Sequence, residues 1–176
     1  MAEKILFNTE LTDMDTSDLD GVGNVKKEKD GKVYRYVKNR NATAIGALAT
    51  CCYDVDNIDG TETDYFESVN MPVSADIMMA AGIAVTAFGI SGAACYGWIQ
   101  IRGHCRNVPT RNPKSTAIAV GAELITANGV GTLTKSATAA AGIAVIYSNH
   151  FIAAEAVATD GTGTATIATD VIINCL

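Results

Sequence analysis

The sequence predicts a mainly β chain: a compact antiparallel β-barrel or β-sandwich domain with an extended N-terminal arm. Three observations predict it. Short runs alternate apolar and polar residues at close spacing, as strands with one buried face do. Val, Ile and Thr fill those runs, and their branched side chains suit a pleated surface. Glycines at 82, 89, 92, 97, 103, 121, 129, 131 and 142 interrupt the alanine-rich stretches too often for long helices.

Residues 1–24 carry an acidic run (Glu10, Asp13, Asp15, Asp18, Asp20) without sustained periodicity. They read as an arm that stays mobile or lies on a partner. A β domain is expected over 25–176. Asp30-Gly31 is a turn signal between Val25–Lys29 and Lys32–Lys38, where Tyr34 and Tyr36 share one face and Val33, Arg35 and Val37 the other. Residues 41–53 form a small-residue strand candidate, and the polar 54–79 segment reads as a loop or insertion. Ser74 to Ala81 is the best short helical piece, with Ser74 as its N-cap.

Further on, Ile99 and Ile101 oppose Trp98, Gln100 and Arg102. Thr116, Ile118 and Val120 alternate with alanines. Asn128-Gly129 is a second turn, followed by Thr132-Leu133-Thr134. Ile143, Val145 and Tyr147 alternate again. In the last run Ala165, Ile167, Val171 and Ile173 face inward, and Thr164, Thr166 and Asp170 face out. Ala-Ala-Gly-Ile-Ala-Val occurs at 80–85 and 140–145, but no longer repeat accompanies it, so no repeat architecture is expected.

The 176 residues suffice for one domain, and 48% of them are hydrophobic. Only 18% are charged, and half of those lie within residues 1–40. Net charge is −6, which argues against a nucleic-acid surface. The opening residues lack a basic leader followed by an apolar core, so the five cysteines (51, 52, 95, 105, 175) are expected to be reduced thiols. Ile77 to Ile101 carries no formal charge over a length that could cross a bilayer. Its four glycines and its lack of leucine read instead as buried strands, so no membrane partner is expected.

No catalytic, cofactor or metal residues are assigned. His104 adjoins Cys105, but neighbours on a strand face apart, which defeats a dyad, and nothing places His150 near a thiol. A cytosolic Cys/His hydrolase built on His104 or His150 therefore stands as the enzyme alternative, and the expectation is a protein that is not an enzyme. Cys51-Cys52 and His104-Cys105 also face apart, which disfavours zinc. Asp13-Met-Asp15-Thr-Ser-Asp18 lacks the turn glycine of a calcium loop, and Asp54 to Gly60 puts Ile58 at a ligand position. Gly21-Val-Gly23-Asn-Val-Lys26 lacks the third glycine of a dinucleotide fingerprint, and Asn41-Ala-Thr43 is a formal glycosylation sequon only. Trp98 reads as a core or interface anchor.

Tyr96-Gly97-Trp98-Ile99-Gln100-Ile101-Arg102-Gly103 is similar to the Tyr-Gly-Trp-Val-Gln-Val-x-Gly strand of small tailed-phage head proteins. Val37-Lys38-Asn39, Gly121 to Leu124 with Gly131 to Leu133, and Gly142 to Val145 with Gly163 to Ile167 fit the same ordered pattern. Over residues 25–176 the chain resembles tailed-bacteriophage capsid decoration (cement) proteins. The resemblance implies a homo-oligomer, often a trimer, bound to major capsid protein on the exterior of the virion. It implies no active site. The arm 1–24 and the segment 54–79 are longer than a minimal decoration domain needs. A head fibre base or a minor capsid protein is the nearest alternative.

Overall fold

The computed structural model describes residues 7–40, 43–54, 67–72, 79–90, 93–113, 115–127, 129–136 and 151–175. Among them are ten strands and no helix: β1 (Val25–Lys27), β2 (Val33–Asn39), β3 (Thr50–Tyr53), β4 (Ser68–Asn70), β5 (Ala80–Ala84), β6 (Tyr96–Arg111), β7 (Glu123–Thr126), β8 (Leu133–Lys135), β9 (Phe151–Ala153) and β10 (Thr166–Asn174). The mainly β expectation is met. Ala80 and Ala81, assigned above to a helical piece, lie in β5, because backbone pairing with Cys52 outweighs alanine's helix preference. Residues 74–78 lie outside the described residues, as do the second Ala-Ala-Gly-Ile-Ala-Val and the 143–147 run.

All ten strands join one sheet in the order β1-β2-β4-β3-β5-β6-β10-β9-β7-β8, with additional pairings β2–β6 and β6–β8. Those two pairings close the sheet on itself twice. One circuit runs β2-β4-β3-β5-β6 and the other β6-β10-β9-β7-β8, so the 16-residue β6 belongs to both. Five strands cannot all be antiparallel around a closed circuit, since strand direction must return to its starting value. Each circuit resolves this with one parallel pair, β2–β4 in the first and β6–β8 in the second. The expected antiparallel pairing holds everywhere among the described strands except at these two pairs.

The two circuits repeat one plan. Read as first to fifth strand, β2 to β6 and β6 to β10 have the same cyclic neighbours, and the parallel pair joins the first and third strands in both. In three of the five pairings the registers coincide. Tyr53↔Val69 is matched by Thr126↔Leu133, Thr50↔Ile83 by Glu123↔Ile152, and Lys38↔Tyr96 by Arg111↔Thr166. In the other two, Asn39↔Val69 against Thr110↔Leu133 and Ile83↔Gln100 against Ile152↔Ile172, they are offset by two residues. The isolated bridge Ile45↔Phe88 is matched by Ile118↔Val157. A left-handed residue precedes the second strand each time, Leu48 (φ 60) and Gly121 (φ 80). The sequence trace of the repeat is short, Thr43-Ala44-Ile45 against Thr116-Ala117-Ile118. The absence of a repeat architecture expected above is thus corrected.

The main core lies within the circuits. It is one continuous cluster, to which the first circuit contributes Val37, Ile45, Cys51, Val69, Ile83 and Ile99 and the second Val108, Ile118, Leu124, Leu133, Phe151 and Val171, each at most 2% exposed. The alternation of β2 and of the first half of β6 is as expected. In β10, Val171 and Ile173 are buried as expected, but Ile167 is 37% exposed, and Thr169 is fully buried. A bulge between Thr169 and Val171 alters the register there, and the covered part of the strand starts at Thr169.

Residues 7–24 do not extend away from the domain. They lie across the outer face of β2 and β6, where Tyr34, Tyr36 and Trp98 form a second buried cluster packed by Phe7, Leu11 and Val22. The physical reason is the aromatic content of that face. Left open, it would expose three large rings, and burying each is worth roughly 1.5–3 kcal/mol.

Candidate functional site

Two outer surfaces concentrate the unusual residues: the strap 7–24 over Trp98, and the β6–β10 face of the second circuit. Both begin from β6, whose even-numbered residues point outward from Trp98 to Arg106.

Trp98 is fully buried and is the anchor of the strap. Its indole N–H donates to the Thr9 hydroxyl at 2.9 Å, and Phe7 meets the ring edge-on with centroids 5.1 Å apart. Tyr36 packs on its other side at 5.1 Å. Burial raises the Tyr36 phenol well above its ordinary range, with nearby Asp15 adding to the effect. Strap residue Asp15 also bridges to Tyr96 through paired backbone hydrogen bonds of 3.1 Å.

The acidic residues of the strap build its turns. Asp20 accepts backbone N–H groups from Asn8 and Thr9 and also bonds the Thr9 hydroxyl. Asp18 accepts the amides of Gly21 and Val22, and Asp13 that of Glu10. Capping of this kind explains why Asp recurs here without a calcium loop. Among the described residues no group of three or more His, Cys, Asp or Glu could hold a metal ion. Residues 55–60 of the second acidic segment lie outside the described residues.

His104 and Cys105 face apart, as strand geometry requires. His104 sits outside, its Nε2 3.2 Å from Asp170 Oδ2, while the other Asp170 oxygen accepts the Asn107 amide at 3.2 Å. That arrangement ties β6 to β10 at the bulge. Cys105 points inward, and burial pushes its thiol up to about 11, so it stays protonated and unreactive near neutral pH. The other cysteines are buried too and form no disulfide. His150 lies outside the described residues.

A cavity of about 80 Å³ lies beside Cys105, lined also by Tyr34, Leu48, Ile83, Val85 and Gln100. It is far below the roughly 300 Å³ at which drug-sized ligand pockets begin. Gln100, 5% exposed, turns its amide N–H groups onto the carbonyls of Arg102 and His104, both at 3.1 Å, and so braces the strand where the circuits meet.

The second surface was not evident from the sequence. Arg102, His104, Arg106, Pro109 and Arg111 fall on one outer face of β6, opposite Asn174, Ile172, Ala168 and Thr166 of β10. Strict alternation would place Arg111 opposite Arg102 and Arg106. Asn107, with φ of 59°, inserts an extra residue and brings it to their side. The three arginines are exposed.

The segment Ile77 to Ile101 contains β5 and the start of β6 among its described residues, and no described helix is long and apolar enough to cross a membrane. No protein-family model, curated protein or solved structure matches the chain.

Proposed function

We propose that this chain is a structural virion protein, a capsid decoration (cement) protein that binds the outer surface of the major capsid lattice of a tailed phage and stabilises the head. On this reading it acts without catalysis, as a homo-oligomer on the virion exterior. Its finer architecture is two barrel-like units joined along β6.

One observation carries the reading. Tyr96 to Gly103, the stretch similar to the tailed-phage strand, is the first half of β6, the strand shared by both circuits. Its motif residues divide by role: Trp98 anchors the strap, Ile99 and Ile101 enter the core, and Gln100 braces the junction. The motif therefore coincides with the part of the chain on which the rest is assembled. The chemistry-bearing side chains described above support the same view: His104 ties two strands, the strap aspartates cap turns, and the thiols are buried. Repetition of weak contacts over a symmetric shell gives firm attachment without a deep pocket.

The test is co-assembly with heads made from the major capsid protein of the same phage, read by co-sedimentation and electron cryomicroscopy. Saturable density on the outer lattice, and heads that survive higher temperature when it is present, are the expected results. Heads that remain bare at saturating protein overturn the reading.

A further inference from the structure

We propose that two copies of this chain associate by docking the acidic outer side of the strap of one copy on the basic β6–β10 face of the other. This inference rests on the self-association in the reading above and names the surfaces responsible for it.

The donor surface is the solvent side of residues 8–25. Glu10, Asp13 and Asp18 are exposed there, with no Lys or Arg between residues 5 and 25. Met14, Leu19 and Val25 are 43%, 44% and 40% exposed, three of the nine large hydrophobic residues most exposed among those described. The strap thus packs Phe7, Leu11 and Val22 against the Trp98 cluster and leaves Met14 and Leu19 exposed beside Asp13 and Asp18 in sequence, with Val25 of β1 exposed just after it.

The receiving surface has the opposite sign. Arg102, Arg106 and Arg111 are exposed along β6, and none makes an ion pair or side-chain hydrogen bond among the described residues. Between them lies an apolar strip: Ile172, 40% exposed, opposite His104 on one side and half-buried Ile152 on the other, then the Pro109–Ala168 pair. Two carboxylates lie among these residues, Asp170, engaged by His104 and the Asn107 amide, and Glu155, which accepts the Asp170 amide at 2.9 Å, against the three arginines. Exposed apolar residues among arginines complement exposed apolar residues beside carboxylates, an arrangement that favours correct pairing and repels a wrong one.

The repeat gives an independent reason. Tyr36↔Trp98 of the first circuit is equivalent to Pro109↔Ala168 of the second. The first pair is covered by the strap, whereas Ala168 is exposed and Pro109 half-exposed with no segment described above them. One plan, used twice, carries a covering layer once, and a neighbour's strap supplies the missing layer.

The experiment is sedimentation equilibrium on the full-length protein without capsid, with Trp98 fluorescence confirming the native fold of each variant. Glu10→Lys is chosen because Asp13 and Asp18 hold turns. Association is expected to weaken by about tenfold or more from about 50 mM to 1 M salt, and similarly in Glu10→Lys or in Arg102→Glu/Arg106→Glu. Combining the three changes in one chain should recover most of the loss. A monomer at all concentrations, association indifferent to the reversals, or a combined variant as weak as its parents overturns the proposal. Head occupancy is scored separately: a chain that decorates heads but fails this test leaves the capsid reading standing, and a self-associating chain that leaves heads bare does the reverse.

Discussion

Gly82 shows how little room the circuits leave. Its φ is +154°, and a Cβ there would lie 2.4 Å from the backbone oxygen of Gln100, which cannot yield without moving β6. Gly82→Ala should cost about 1–3 kcal/mol or more by denaturant unfolding, as overpacking does. Gly46→Ala, where a Cβ meets nothing within 4 Å, should stay within roughly 0.5 kcal/mol of wild type. Asp160 makes a different residue-scale prediction. Amides of Thr162, Gly163 and Ala165 donate to its carboxylate and hold it at about 2, below the ordinary carboxyl value. A depressed folded value means the turn is supported at neutral pH and loses that support as pH falls toward 2. Amide chemical shifts of 160–165 should therefore titrate near 2 in the wild type, and that titration should be absent in Asp160→Asn. A wild-type titration near 4 would contradict the geometry.

The strap is the element in which local sequence and tertiary contact disagree most. Its acidic run lacks periodicity because its structure comes from side-chain caps rather than from a helix or strand ladder. Asp20 holds the Asn8–Thr9 end, and Thr9 in turn accepts from Trp98. Asp20→Ala should leave the Asn8 and Thr9 amides without their acceptor, weakening docking by about 1–3 kcal/mol. The expected readouts are a red-shifted Trp98 emission and cleavage of the strap by limited proteolysis about tenfold faster or more. Unchanged cleavage would show that the aromatic contacts alone hold the segment.

At the scale of the molecule, sharing β6 couples the circuits. Neither can open that strand without removing ladder bonds from the other, so the chain should unfold in one cooperative step. Leu133, fully buried in the second circuit, tests this against Trp98 in the first. Leu133→Ala should lower the stability reported by Trp98 fluorescence by about 2–5 kcal/mol, with fluorescence and circular dichroism transitions coinciding. Two separated transitions would show that the halves fold independently.

Alternation alone determined much of this: the β class, the inward set on β2 and β6, the opposed faces of His104 and Cys105, and Trp98 as an anchor. Each follows from period-two geometry and side-chain polarity, which are local properties. Three features were decided only by long-range pairing. The repeat is nearly invisible in sequence because equivalent core sites tolerate Cys51 against Leu124, or Phe88 against Val157, where burial and volume suffice. The arginine face depends on one left-handed residue, Asn107, whose bulge no alternation rule foresees. The placement of the strap required an aromatic face assembled from β2 and β6, separated by about 60 residues of chain and brought together only when the first circuit closes.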